Sequence, residues 1–368
     1  MSFLQLALAL TLAATPTPAA DAALDLCVPR VYAAQAEACP SLGPGAYQVQ
    51  YANASAPAEV APLPTQPLSR PDQIFEKAYA RVTTPDAPLF ATPEDAVAGN
   101  VAASLGAGFV FVQLRNAAQI NDLPLYQIRS GEYIRASDVK PVEPTTFQGL
   151  WFAANPERPF GWLVRAVKPS LRPGAAPLKE TRRLPRYRPV QVFSVVKAGR
   201  WAWYQIGPDQ WVEQRNLSLV NLQLPPEGVV GKWIQVDLYE QTLAAYEDNQ
   251  LVYATLVSSG LDKWATRTGL FQVYARTPAT RMRGAYAPDK SDYYYLEDVP
   301  WTMFFDGDRA LHGEYWHDGL GFKRSHGCVN LAPLDARWLF DWTPKGTWVW
   351  VYDPSGRTQD DGTVVEGP

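Results

Sequence analysis

From Lys232 to Gly260 the sequence KWIQVDLYEQTLAAYEDNQLVYATLVSSG alternates apolar and polar residues over most of its length. Side chains on an extended chain point to opposite faces in turn, so a period of two demands strands rather than helices. The alternation breaks at EDNQ, which predicts a β-hairpin with Glu247 to Gln250 as the turn. Further strands are expected at GLFQVYAR and GTWVWVYD. Between them APLDARWLFDWTP carries apolar residues at helical spacing and stops before Pro344, so one short helix belongs there. Residues 230–354 should therefore form a mostly antiparallel β domain with a helix packed beside it. Its start is marked by the turn-rich LQLPPEGVVGKW.

The composition agrees with a β-rich chain: 33 prolines, 18 tyrosines and 13 tryptophans in 368 residues favour aromatic-packed strands joined by extended segments. Residues 81–222 read as short β-type runs with an internal repeat. LYQIRSGEYIRASDV (Leu125 to Val139) and WYQIGPDQWVEQRNL (Trp203 to Leu217) share Tyr-Gln-Ile and then an aromatic and β-branched pair at matching spacing. Two hairpin-containing units are implied, at 81–145 and 146–222, and their strand, turn, aromatic strand and polar tail resemble bacterial SH3-like domains. Residues 23–80, rich in Pro, Ala and Ser, read as a linker or collar in which PDQIFEKAYARV has the spacing of one short helix. Residues 355–368 are left as a tail.

Several function classes are excluded early. No apolar run reaches the 18 or so residues of a membrane-spanning helix. Net charge is −4, and no basic stripe is present that would neutralise a phosphate backbone, so nucleic acid is not expected as a partner. The N-terminus, MSFLQLALALTLAATPTPAADAA, has a short apolar segment followed by small residues and resembles a secretory signal over residues 1–22, with Ala20-Asp21-Ala22 as the cleavage site. An extracytoplasmic location follows as an expectation. In an oxidising compartment Cys27 and Cys39 could close a disulfide; two free thiols are the alternative. Cys328 is then the odd cysteine of three, and an unpaired thiol in an exported chain invites a chemical explanation.

That cysteine lies in RSHGCVNLAPLDA, where His326 and Cys328 stand two apart around Gly327. In an extended segment both would face one pocket, and Gly327 would let a backbone or substrate approach closely. An imidazole beside a thiol removes its proton or stabilises the thiolate, which suits nucleophilic catalysis. The Gly327 and Cys328 amides are candidates for holding an oxyanion. Two other readings stand beside this one. His312, His317, His326 and Cys328 are four potential zinc ligands in one segment, and an ordinary buried strand needs neither metal nor chemistry.

The surroundings sharpen the choice. ALHGEYWHDGLGFKRSHGCVNL places His312-Gly313 upstream of Ser325-His326-Gly327-Cys328-Val329-Asn330, and with VDLYEQTL and TRTGLFQV this resembles the L,D-transpeptidase catalytic domain, the YkuD family, over about Lys232 to Asp353. Arg267 stands where the family's Thr-Pro-x-Gly has proline. The resemblance implies an antiparallel β-sandwich-like catalytic domain, no cofactor, and peptidoglycan as partner, through its stem peptides and glycan, with no stable protein partner. It also implies that Cys328 attacks a stem tetrapeptide at its third residue, releases D-alanine and passes the acyl group to a neighbouring stem as a 3-3 cross-link. His326 would activate the thiol. His312, Gly313, Ser325 and Asn330 would line and position the pocket. Tyr295, Trp301, Phe304, Tyr315 and Trp316 are candidates for gripping the peptide. An L,D-carboxypeptidase with the same nucleophile, and a non-catalytic wall-binding protein, are the competing readings.

Overall fold

A computed structural model of the chain describes residues 61–67 and 77–365. The expected signal segment, Cys27 and Cys39 lie outside these residues. None of the described helices is long and apolar enough to cross a membrane.

In the C-terminal region β1 (Lys232–Asp237), β2 (Thr242–Glu247) and β3 (Gln250–Ser258) form an antiparallel ladder. The predicted hairpin is β2–β3, its turn tightened to Asp248-Asn249, both with positive φ. Asp and Asn tolerate that left-handed conformation, and such a two-residue turn matches the twist of the paired strands. The stretch read as one hairpin is thus three strands, because Leu238 to Gln241 makes a second turn that alternation alone does not mark.

β3 changes partner along its length. Its first part pairs β2, while Val257 and Ser258 pair Leu331 and Asn330 of β8 (Val329–Leu331). β8 lies parallel to β7 (Arg309–Gly313), which pairs antiparallel with the long β6 (Tyr294–Asp306); β5 (Ala275–Gly284) pairs with β6. On the other layer β9 (Trp348–Tyr352) runs parallel to β1 and antiparallel to β4 (Gly269–Gln272). Two layers joined through β3 enclose one core, in which Ile234, Val236, Leu243 and Val349 meet Met303, Leu311, Val329 and Leu331. The region is a mainly β sandwich of mixed rather than purely antiparallel pairing. Its single α-helix, α1 (Pro333–Trp342), starts on proline, where no amide partner is needed, and contributes Ala336 and Leu339 to that core.

Upstream, both halves of the internal repeat take the same local form. Strands Leu123–Ile128 and Tyr133–Arg135 lead through a 3-10 turn at Ala136–Asp138 to strand Val139–Val142. Strands Trp201–Gly207 and Gln210–Glu213 lead through a 3-10 turn at Gln214–Asn216 to strand Leu217–Val220. The helix expected over PDQIFEKAYARV is not formed at its described end: Ala78–Val82 is a strand, paired on both edges with Phe111–Leu114 and Val139–Val142. Tyr79, Ala80 and Val82 are buried by those partners, and tertiary packing overrides a weak local preference.

The first unit is continuous with the C-terminal region. Strand Phe109–Ile120 pairs parallel to β6, Phe109 with Tyr294 and Phe111 with Leu296. This joint carries residues of the N-terminal half to the edge of the cleft described next.

Candidate active site

A cleft of about 1040 Å³ opens over β6, β7 and β8. Cys328, His326, His312, Ser325, Asn330, Phe304 and Trp316 all line it. Tyr295, Trp301 and Tyr315 do not. Tyr295 is buried and donates to Glu297, Tyr315 is stacked on Tyr79 at 3.7 Å, and Trp301 packs in the sandwich core. Strand parity explains the first: along β6 the neighbour Tyr294 takes the cleft side, which sends Tyr295 to the opposite face. Gly313 leaves room for Trp301, since a Cβ there would lie 3.3 Å from the indole and 3.0 Å from Pro300.

The loop that presents Cys328 is tied from both sides. Ser325 Oγ donates to the Cys328 carbonyl at 2.5 Å and accepts from the Gly327 N–H at 3.1 Å. Thr266, fully buried, accepts from the Gly260 N–H and donates to the Gly327 carbonyl, each at 2.9 Å. Gly327 sits at φ +113°, a conformation that disfavours any side chain. Two expectations change here. Residues 326–328 form a bend, not an extended run, so spacing by two does not place His326 and Cys328 on one face. The Gly327 amide, already donating to Ser325, is not free to hold an oxyanion.

His326 is held by aromatic rings. Trp264 lies 3.8 Å from its ring centroid, with Tyr294 at 5.2 Å and Tyr286 at 5.8 Å stacked against it. Burial lowers its pKa, and Lys263 pushes in the same direction against the pull of Asp292. No hydrogen bond joins its ring to Cys328 among the described residues. The half-buried Cys328 directs its sulfur toward the Asp308 carbonyl at 3.8 Å. Enclosure of that sulfur pushes the thiol up to about 11, offset in part by the Ala310 amide and Arg309.

His312 has a different relation to the thiol. Leu311 is in register with Val329 and His312 with Asn330, the Cys328 sulfur meets the Ala310 amide at the start of that pairing, and His312 and Cys328 line the same cleft. The His312 ring is buried, and its Nδ1 is 3.0 Å from the Gly313 carbonyl. A carbonyl only accepts, so Nδ1 carries the proton and Nε2 keeps a free lone pair. Burial lowers the His312 pKa to about 4 and holds the ring neutral.

Behind the pair lies a buried polar chain that includes His317, read in the sequence only as a possible ligand. Its Nδ1 accepts from the Gly319 N–H at 3.1 Å, which puts the proton on Nε2, 3.2 Å from the Asn330 amide. Asn330 Oδ1 is otherwise buried without a partner. A half-turn of that amide brings the oxygen to Nε2–H, satisfying both groups and aiming the NH₂ away from His317. Glu314, whose carboxyl burial pushes up to about 8, accepts from the Trp316 and His317 amides. The zinc reading finds no geometry: among the described residues no group of three or more His, Cys, Asp or Glu stands close enough to hold a metal.

Trp264, Tyr286, Tyr294 and Thr266 are cleft or loop residues that sequence reading missed. Only Thr266 had a signal, as the first residue of TRTG. In place of the family's proline, Arg267 reaches Asp306 at 3.2 Å and packs against the C-terminal segment at Gly362.

Comparison with known proteins gives a family match in this region. Residues 231–351 match the sequence model of YkuD, the L,D-transpeptidase catalytic domain. The "Putative L,D-transpeptidase YciB" of Bacillus subtilis (strain 168) is 27% identical over 134 residues, covering 31% of this chain and 62% of that protein. L,D-transpeptidase 2 of Mycobacterium tuberculosis (strain CDC 1551 / Oshkosh) is 27% identical over 134 residues, covering 32% of this chain and 33% of that one. The chain thus spans less than two thirds of either relative. Among solved structures, the catalytic domain of the E. faecium L,D-transpeptidase is 27% identical, with 34% of this chain and 99% of that chain covered at a TM-score of 0.31. The third of the chain that carries His312 and Cys328 therefore matches the YkuD family of L,D-transpeptidase catalytic domains.

Proposed function

We propose that the chain is an exported cysteine L,D-transpeptidase acting on peptidoglycan stem tetrapeptides, with His312 rather than His326 as the base. One observation carries this reading: His312 lines the same cleft as Cys328, and its Nδ1 is fixed on the Gly313 carbonyl while Nε2 stays unprotonated. A base oriented by a third group is the recurring arrangement for activating a nucleophile.

Near neutral pH both partners start uncharged, so the thiol proton moves to Nε2 as sulfur attacks the carbonyl of the third stem residue. Imidazolium then protonates the departing D-alanine nitrogen, leaving a thioester on Cys328. An amine of a second stem attacks that thioester, gives its proton to His312, and forms the 3-3 cross-link. The Cys328 amide remains the candidate for the oxyanion. His326, clamped between Trp264 and Tyr294, shapes the cleft wall. The two upstream units, read as SH3-like, would present the catalytic region to the wall.

The test is intact-mass spectrometry of the full chain with a defined tetrapeptide. Wild type should gain the mass of the acylated tripeptide with release of one D-alanine, and Cys328→Ala should gain none. Labelling of the Cys328→Ala variant overturns the reading. Adding an amine acceptor distinguishes cross-linking from hydrolysis.

A further inference from the structure

The cleft carries a charge opposite to that of the whole molecule. The chain is −4 overall, yet its walls present seven Lys or Arg side chains against two acids, Asp292 and Asp308. Some of those cations are already neutralised: Arg309 pairs with Asp306 at 3.1 Å and Lys323 with Asp262 at 2.9 Å. Lys263 lies over the Trp264 ring at 3.6 Å. Arg281 bonds the Tyr295 hydroxyl and Arg324 lies near the Glu314 carboxyl, whereas Arg81 and Arg283 have no ion-pair partner among the described residues. Of the two acids, Asp292 is engaged by the Tyr286 and Ala287 amides, which outweigh the effect of burial and lower its pKa. An excess of unpaired guanidinium groups in a concave site focuses a field that favours anionic ligands, and guanidinium is the group best shaped to hold a carboxylate.

The origin of these residues adds to the point. Arg283 is in register with Tyr295, and both it and Arg281 reach the cleft wall from β5, an edge strand that pairs only with β6. Arg81 comes from strand Ala78–Val82 of the first upstream unit, held there by the pairing of Phe109–Phe111 with β6. That unit is then part of the substrate site as well as a spacer before it.

Resting on the transpeptidase reading, we infer that the cleft selects a donor stem with free carboxylates on its second and third residues over the same stem amidated there, and that Arg81 and Arg283 set this preference. They act on binding and leave the chemistry at Cys328 untouched.

The experiment compares two synthetic tetrapeptides that differ only in amidation of those carboxylates, following Cys328 thioester formation and D-alanine release with the full chain. The free acid should show a KM lower by about tenfold or more at similar kcat, the size of one or two charge-assisted contacts. Arg81→Gln with Arg283→Gln should raise KM for the free acid toward that of the amide, while alkylation of Cys328 by iodoacetamide stays unchanged. Raising salt from about 0.05 to about 0.5 M should erode the preference of wild type with no substitution at all. Equal KM for the two peptides, or a preference that survives both the double substitution and the salt, overturns the inference alone. No thioester with either peptide overturns the transpeptidase reading and this inference with it.

Discussion

Cys328 and His312 are both neutral near pH 7, the thiol pushed up to about 11 and the imidazole down to about 4 by burial. A cysteine held as a thiolate by a resident imidazolium would alkylate readily at neutral pH, whereas a thiol whose proton leaves only during attack would not. Iodoacetamide modification of the Cys328 peptide, followed by mass spectrometry without substrate, should therefore be slow at pH 7 and climb steadily above pH 9. A plateau reached by pH 7 contradicts this. At this scale the His326–Cys328 pair was visible in the sequence, and the placement of His312 in the same cleft was not. His-x-Cys is visible as letters, but the bend at Gly327, with φ +113°, is a property of backbone sterics that spacing does not reveal. Tyr294 in place of Tyr295 is a similar slip: which of two adjacent tyrosines faces the cleft depends on the register of β6 against its neighbours.

Among the elements, the loop before β8 is set by Thr266, which bonds the Gly260 amide and the Gly327 carbonyl from a fully buried position. Thr266→Val keeps the shape and removes the hydroxyl, leaving a buried donor and a buried acceptor unmatched at about 1–3 kcal/mol each in the worst case. The variant should lose about 2 kcal/mol or more in denaturant unfolding and acylate more slowly, because the loop that presents Cys328 loses its anchor. Unchanged stability would show that water replaces the hydroxyl. Alternation and helical spacing made β2, β3, β9 and α1 legible, since each is a local pattern with a clear stop such as Asp248-Asn249 or Pro344. The parallel pairing of β7 with β8 was not legible, because those two strands are separated in sequence by residues 314–328.

For the molecule as a whole, buried acids govern how stability depends on pH. Burial raises Glu240 and Glu314 to about 8 from an ordinary 4.5. The folded chain therefore binds protons that the unfolded chain has released, and stability must fall as pH rises through that window. His312 and His317, lowered to about 4 from 6.5, act oppositely but only below pH 6.5. Asp237 and Glu297 are raised by burial as well and act in the same direction as the two glutamates, so above pH 6.5, where the histidines no longer oppose them, the denaturant midpoint should drop toward pH 8. Glu240→Gln should flatten the slope; a rising or level wild-type profile contradicts the assignment. Glu240 also accepts from the Leu219 amide at 2.9 Å and so ties the second upstream unit to the turn between β1 and β2, a joint no local pattern announces. The internal repeat was readable because its two copies share letters. Continuity of the first unit with β6 was not, since it depends on a pairing between residues about 185 apart, Phe109 with Tyr294.

The proposed mechanism turns on which histidine serves Cys328. Single-turnover acylation by a defined tetrapeptide, read by intact mass for wild type, His312→Ala and His326→Ala, decides it. Loss of about 10²–10⁴-fold in His312→Ala, with a smaller change in His326→Ala, is the expected result for a general base. The reverse order, or an adduct on any residue other than Cys328, contradicts it.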